Sequence, residues 1–427
     1  MAEQFSDIVI AGGGMAGATL ALALARHAPS LSVRVIEHFP LASESSDSHY
    51  QPSYDARSTA LSWGSRKIYE RLGLWPELSR HATPIRNIHV SDKGHFGASR
   101  LSAAEHQKPA LGYVVDNRWL GQTLVRALAH CPSVQWQAPA KVEQVEPTER
   151  GVRVSVTIDG VPDSVDTQCL VVADGGRSGL REALGFRAHH ADYQQHALIA
   201  NVTTARAHDF VAYERFTDAG PMALLPRGNP NHASGESTLV WTLSDAQLSE
   251  VLAASDADKC ARLQARFGWR LGRIEHVGEC SHYPLTLTTV AEPVRQGVVL
   301  VGNAAHTLHP VAGQGFNLAL RGLMVLTDTF ARAVREGQPL GTLGILQQFQ
   351  AEHRQDWRQT VRFSNSLIQL FGHESRWVAA VRDAGLVGLD LLPGAKRWFS
   401  EQAMGLGRRQ TRMPGMSAGE PKGDAGQ

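Results

Sequence analysis

Cysteine is scarce in this chain: Cys131, Cys169, Cys260 and Cys280 stand far apart and form no C-x-x-C pair. That spacing argues against a zinc ribbon, an iron-sulfur cluster or a disulfide framework, and fits reduced thiols in a cytoplasmic protein. No metal site is expected. Excess charge of either sign is missing too. Lys and Arg number 42 against 41 for Asp and Glu, a net of +1, so no global basic field draws the protein to nucleic acid. Long apolar runs are absent: residues 16–25 form an apolar stretch that Arg26 breaks, too short to cross a bilayer. Glu3 and Asp7 stand where a secretory signal would carry basic residues and an apolar core, so no signal peptide is expected. What remains is an ordinary soluble composition, 43% hydrophobic and 19% charged over 427 residues, enough for about two or three domains.

What the chain does have is glycine at the ends of apolar runs. Residues 298–301, Val-Val-Leu-Val, predict a central parallel strand buried on both faces, closed by Gly302. A helix is predicted from about Gly315, with Ala319, Leu323, Leu326 and Phe330 on a packed side and Arg321, Asp328 and Arg332 on a wet one. Gly313 and Gly315 let the backbone approach a ligand, and the N-terminus of the helix favours an anionic guest. An ordinary strand-loop-helix with glycines at tight turns fits the same residues.

Near the start, residues 7–11 predict a buried strand, Gly12, Gly14 and Gly17 complete G-x-G-x-x-G, and residues 18–26 predict a helix. A second strand follows at 32–36. Glu37 ends it, 20 residues after Gly17, where a carboxylate can accept hydrogen bonds from a ribose. Strand, glycine turn, helix and terminal acid together predict an adenine-dinucleotide site.

Residues 43–54 predict a polar loop leading to Asp55, Arg57 and a helix bearing Leu61, Ile68, Leu72 and Leu74. Arg57 suits either an ion pair with a neighbouring acid or a phosphate or flavin contact. Short strands and loops are expected over 85–113, then a helix over 115–129 with Arg118 near its start and Gln122 one turn on. Residues 142–145, 152–158 and 164–167 predict a three-stranded meander, and 169–173 the next central strand, ending in Asp174. Ser178 and Arg181 enter the helix after it. A cap at Asp174 and a surface Arg181 fit that segment equally well. From 187 to 283 the pattern changes to strands at 196–202, 211–216, 222–225 and 238–243 and a helix over 244–267, a second sheet inserted into the first domain, with the chain returning near 284–293. Helices are expected over 346–370 and 377–392. The last helix, from Pro393, carries Lys396, Arg397, Trp398 and Phe399, a mixture that suits a membrane surface or a packed helix with solvated cations.

Three segments now align. GGGMAG with Glu37, VVADGGRSGLR at 171–181 and VGNAAHTLHPVAGQG at 301–315 resemble the three motifs of the class A flavoprotein aromatic hydroxylases. DARSTALSWGSRKIYERLGLW from Asp55, GPMALLP from Gly220, LVWTL from Leu239 and the terminal segment 392–406 resemble the UbiH/VisC family of ubiquinone-biosynthesis hydroxylases within that class. The resemblance spans nearly the whole chain. It departs at Asn303, where most of the class has an Asp on a ribityl hydroxyl of FAD; the Asn form is similar to the polyprenyl-methoxyphenol hydroxylase branch.

The resemblance implies an α/β fold: a Rossmann-like FAD-binding domain of the aromatic hydroxylase type, an inserted β-sheet substrate domain and a helical C-terminus. The FAD-binding parts would be 1–84, 114–186 and 284–340, the substrate strands 85–113 and 187–283, the C-terminal helices 341–412 and a disordered tail 413–427. Gly12, Gly14 and Gly17 would carry the FAD pyrophosphate turn and Glu37 the adenosine ribose, with Arg57, Arg118 and Gln122 as further flavin contacts. Asp174 and Arg181 would serve both FAD and NAD(P)H. Gly302, Asn303, Pro310, Gly313, Gln314 and Gly315 would follow the ribityl chain and isoalloxazine, with Pro310 and Gln314 beside the ring. No residue is assigned to activate the substrate.

The expected activity is hydroxylation of a polyprenylated phenol with NAD(P)H and O2 through a flavin C4a-hydroperoxide, in a cytoplasmic protein with contacts to a ubiquinone-biosynthesis complex and to the inner-membrane surface. The rivals are an FAD-dependent reductase that transfers no oxygen and a non-catalytic flavin-binding subunit of a biosynthetic complex.

Overall fold

The computed structural model describes residues 4–40, 57–93, 98–217, 220–308, 313–372 and 393–406. The expected loop at 43–54, Asp55, Pro310, the helix at 377–392 and the tail lie outside them. Two sheets dominate. In the first, of eight strands, Gln4–Ala11 runs parallel to Val33–Ile36 on one side and to Val161–Val172 on the other. Val134–Gln137 extends it beyond Val33–Ile36, and Val298–Leu300 lies parallel to the end of Val161–Val172. Val298–Leu300 is buried as expected, but it is next to the edge strand Val294–Arg295 rather than at the centre. The helices Met15–His27 and Gln314–Arg335 pack together over the sheet, with Leu20, Leu22, Leu24, Leu320 and Leu323 in the shared core.

Several boundaries move. Residues 164–167 and 169–173 form one strand, Val161–Val172, because its first half pairs antiparallel with Gly151–Ile158 and its end parallel with Val298–Leu300. A change of partner needs no turn. Residues 58–62 are not helical: Ser58–Ser62 is a strand antiparallel to Gly112–Asp116, which also takes residues 115 and 116 from the helix that starts at Asn117. The helix Trp63–Arg71 begins where the Ser62 side chain accepts from the Ser65 N–H, leaving Leu61 in the strand. The expected helix over 244–267 is two, Asp245–Leu252 and Asp256–Phe267, each started by its own serine cap, Ser244 and Ser255.

The second sheet has nine strands and takes its longest from Ala188–Thr204. Ser281–Val290 pairs with that strand, so the chain leaves this sheet after 290 and not at 284. Its faces differ. Leu198, Ala200, Met222, Leu224 and Trp241 pack under the helices Asp245–Leu252 and Asp256–Phe267, while the alternate residues Ile199, Ala223 and Val240 face a cavity. His306–Thr307 pairs with Ser281–Val290, so the loop after Val298–Leu300 becomes an edge strand of the second sheet and ties the two sheets at the third motif.

The wet side expected on Gln314–Arg335 is covered at Arg321 and stays partly exposed at Arg332. Arg321 Nε meets Asp356 at 2.7 Å and Arg332 meets Glu352 at 2.8 Å, both on the helix Leu343–Gly372. The helix Pro393–Ala403 is also held to the body: Lys396 pairs with Glu105 at 3.0 Å, and Phe399 packs with Trp63, Leu101 and Met404.

Candidate active site

The first strand runs straight into the glycine turn. Gly12 has φ +105°, and a Cβ there would stand 2.6 Å from the Ala173 carbonyl oxygen. Gly17 lies so close to the turn that its Cβ would be 1.9 Å from Gly12 O. The Gly13 N–H donates to one carboxylate oxygen of Glu37, and the Phe39 N–H to the other at 2.9 Å. Thus the acid is buried and fixed beside the turn before any ligand arrives. Gly14 caps Met15–His27 without a side-chain hydrogen bond, which leaves N–H groups of the first helical turn for an anion. Trp136, which sequence reasoning missed, covers the turn from the neighbouring strand; a Cβ on Gly13 would be 2.4 Å from its ring.

The second and third motifs meet through Arg181. Its side chain is 1% exposed, and Nη1 donates to Gly176 O and to Ala304 O, both at 3.3 Å. The surface placement left open for it does not hold, and it stands behind the two loops, outside the cavity wall. Asp174 is in the wall. It opens on the cavity, and desolvation by the surrounding walls pushes its carboxyl above the ordinary value, against the opposing pull of Ser178, backbone N–H groups and Arg181.

Gly313, at φ +59°, caps Gln314–Arg335, again without a side-chain bond. Asn317, another residue the sequence did not single out, fixes this end: its amide donates to Ala60 O and Gly313 O and accepts from Ser62 N and Ser65 Oγ, at 2.6–2.9 Å. All four of its hydrogen bonds are made inside the protein.

These pieces surround one cavity of about 1020 Å³. Gly12, Gly14, Glu37, Arg57, Asp174, Gly302, Asn303, Gly313 and Gly315 line it, so the two uncapped helix N-termini open on a single space. Gly175 and Gly315 present bare backbone there, since a Cβ on either would meet nothing within 4 Å. Arg57 reaches the wall with its guanidinium 5.6 Å from the Tyr283 ring centre. Gln314 is buried and not in the wall, and Arg118 and Gln122 are exposed and outside it. Beyond Asn303 the cavity continues under the second sheet, where Ile88, Val90, Ile199, Ala212, Leu225, Val240 and Tyr283 make an apolar chamber. Glu214 is the one carboxylate among the lining residues of that sheet. Neither periodicity nor spacing marks Glu214; only the register that sets it beside Val90 and Ala223 does.

A family model described as FAD binding domain matches residues 6–364. The ubiquinone hydroxylase UbiL of Rhodospirillum rubrum is 34% identical over 421 residues, 98% of this chain and 94% of that protein. The chain belongs to the FAD-dependent ubiquinone hydroxylase family. The 3-demethoxyubiquinol 3-hydroxylase of Escherichia coli, 30% identical, aligns with 95% of this hydroxylase and 100% of its own length. In fold the hydroxylase is similar to the crystal structure of p-nitrophenol 4-monooxygenase PnpA from Pseudomonas putida, with a TM-score of 0.75 over 95% of this chain and 100% of that one, at 18% identity. The cofactor of the family fits: the glycine turn, the buried Glu37 and the bare backbone at Gly175 and Gly315 leave room where a dinucleotide would lie and donors where its phosphates would be.

A buried histidine pair supports the third motif in this hydroxylase. The His306 and His353 rings are 5.9 Å apart, and burial pushes their pKa values down to about 3 and about 4. Unfolded, both take up a proton near pH 6.5, so the unfolded chain binds more protons and stability is lost as pH falls from there toward 4. At pH 5 the loss through His353 is about 2 kcal/mol. His353→Gln is expected to remove about that much of the acid sensitivity, read as the difference in thermal midpoint between pH 7.5 and pH 5 for both proteins. An equally steep fall in the variant would place the acid sensitivity elsewhere.

Proposed function

We propose that this hydroxylase adds an oxygen atom from O2 to the ring of a polyprenylated methoxyphenol, using NAD(P)H. The observation that carries the reading is one continuous cavity that joins the glycine turns and Glu37 to an apolar chamber with Glu214 as the carboxylate from the second sheet among the described lining residues. The first sheet and its glycine turns hold the cofactor, and the second sheet, with its strands 87–102 and 188–290, roofs the substrate. Bound FAD supplies electron transfer from NAD(P)H and activation of O2. The chain would supply position, dryness and charge: Gly12, Gly14 and Glu37 would hold the adenosine and pyrophosphate, and Asn303 and Gly315, both in the cavity wall, would hold the ribityl chain and the ring. The N-terminus of Gln314–Arg335 opens on the cavity at Gly313 and Gly315 and would favour an anionic group bound there. The apolar chamber excludes water during the reaction.

Anaerobic reduction by NADPH with a short-chain prenylated methoxyphenol, then admission of labelled O2 and mass analysis of the ring, tests this. One labelled oxygen atom in the product supports it. Flavin reduction without transfer would favour a reductase, and no reduction a non-catalytic subunit.

Within this reading Glu214 accepts the phenol hydroxyl proton, raising electron density in the ring. Glu214→Gln is expected to lower the rate of oxygen transfer by about 10²-fold or more while flavin content stays the same, and to erase the acid limb of the pH–rate profile. A retained acid limb would assign the proton to another group. At Asn303 a carboxylate would stand beside the reduced anion, so Asn303→Asp is expected to lower the flavin potential by on the order of 30 mV, equivalent to about 1.4 kcal/mol. Potentiometric titration that finds it unchanged or raised would refute the placement.

Among the described residues no helix is long and apolar enough to cross a membrane. A lipid-borne substrate would be met at a bilayer surface or within a biosynthetic complex.

A further inference from the structure

The helix Pro393–Ala403 has Lys396 and Phe399 engaged in the fold, so a surface contact has to be sought elsewhere. The turn 268–273, between Asp256–Phe267 and the strand Ile274–Val277, offers one. Its Trp269 is 68% exposed, the most exposed large hydrophobic side chain among the described residues. At that turn the side chain presents an apolar ring with a polar N–H to solvent.

Arginines gather at the same turn. Arg266, Arg270 and Arg273 flank Trp269 in sequence, and Arg206 is brought alongside by its N–H bond to Leu271 O at 3.0 Å. Arg215 donates to Arg266 O at 3.1 Å, and Arg270 reaches His89 Nε2 at 3.0 Å. Burial, then Arg270 and Arg100, push His89 down to about 4, so the histidine stays neutral among these cations. Asp92 acts on Arg215, Asp209 on Tyr213, and Glu275 pairs with Arg273. The Arg273–Glu275 pair spans 3.9 Å with Arg273 75% exposed, a weak surface pair. Arg100, Arg206, Arg270 and Arg273 are exposed, a local group of cations on a chain whose net charge is +1.

We infer that the Trp269 turn docks the protein on an anionic bilayer, the indole in the headgroup zone and Arg206, Arg266, Arg270 and Arg273 on lipid phosphates. Trp settles at membrane interfaces because its ring is apolar and its N–H polar, and each basic side chain near an anionic surface strengthens binding roughly fivefold. The inference rests on the proposed lipid-borne substrate and adds the face through which the protein would meet it.

The test is flotation of the FAD-loaded full chain with vesicles of phosphatidylcholine alone and of phosphatidylcholine with phosphatidylglycerol. The wild type is expected to float with the anionic vesicles, less so as salt rises, and not with the neutral ones. Trp269→Ser is expected to weaken this about tenfold, and the double variant R270E/R273E to abolish it, with flavin content and circular dichroism unchanged. No binding to anionic vesicles overturns the inference. So does binding that Trp269→Ser leaves intact, which would mark the arginines as a site for an acidic protein. Oxygen transfer to a short-chain, water-soluble phenol is read separately, so failure of docking and failure of the hydroxylase reading are distinguishable.

Discussion

Gly12→Ala is expected to leave purification without bound flavin. At φ +105° the backbone occupies a region that costs an L-residue about 1–3 kcal/mol. The new methyl would also lie 2.6 Å, 2.8 Å and 2.9 Å from Ala173 O, Ala173 C and Asp174 Cα. Those are main-chain atoms at the end of a strand held in register, Ala11 opposite Val172, so they cannot yield as a side chain would. Overpacking adds about 1–3 kcal/mol, and the two effects act on the same turn. The flavin-to-protein absorbance ratio and the melting temperature without added FAD both report the outcome. Gly315→Ala is the control: its methyl meets no protein atom within 4 Å, so it should leave the apo-protein melting temperature unchanged and weaken only FAD binding. A Gly12→Ala protein with stoichiometric flavin and an unchanged melting temperature would falsify the role given to this turn.

Arg181→Met should be nearly as damaging, although the residue does not itself line the cavity. Methionine can fill much of the buried space but cannot donate to Gly176 O or Ala304 O. A buried acceptor left without a partner costs about 1–3 kcal/mol, which applies in full to Ala304 O, and part-buried Gly176 O adds a smaller loss. The loops so released carry Gly175 and Asn303, so flavin retention should fall with stability. Glu182→Ala separates this from a simple ion-pair effect. Its carboxylate is 72% exposed and 3.6 Å from Arg181 Nη2, and its removal should change little. If Glu182→Ala proved the more harmful of the two, the two carbonyl bonds would not be what holds the motifs together.

The motifs themselves were legible because each is a short-range pattern. Strand, glycine turn, helix and Glu37 lie within residues 4–37, and the positive φ at Gly12 and Gly313 is a property of single residues. Pairings across longer stretches were not. Ser58–Ser62 looked helical because its hydrophobic spacing runs on into Trp63–Arg71, and its partner Gly112–Asp116 lies some fifty residues away. Asn317 and Glu214 carried no local signal, since one is defined by four partners from three segments and the other by strand register.

By itself, then, the sequence determined the glycine turns, the buried strands and the family, because glycine conformations and hydrophobic periods act within a few residues. The tertiary structure alone decided which side of Gln314–Arg335 is wet, where Arg181 acts, how the third motif joins the second sheet and which carboxylate faces the chamber. Those outcomes depend on partners distant in the chain, and on the requirement that buried polar groups find hydrogen bonds wherever folding has brought them.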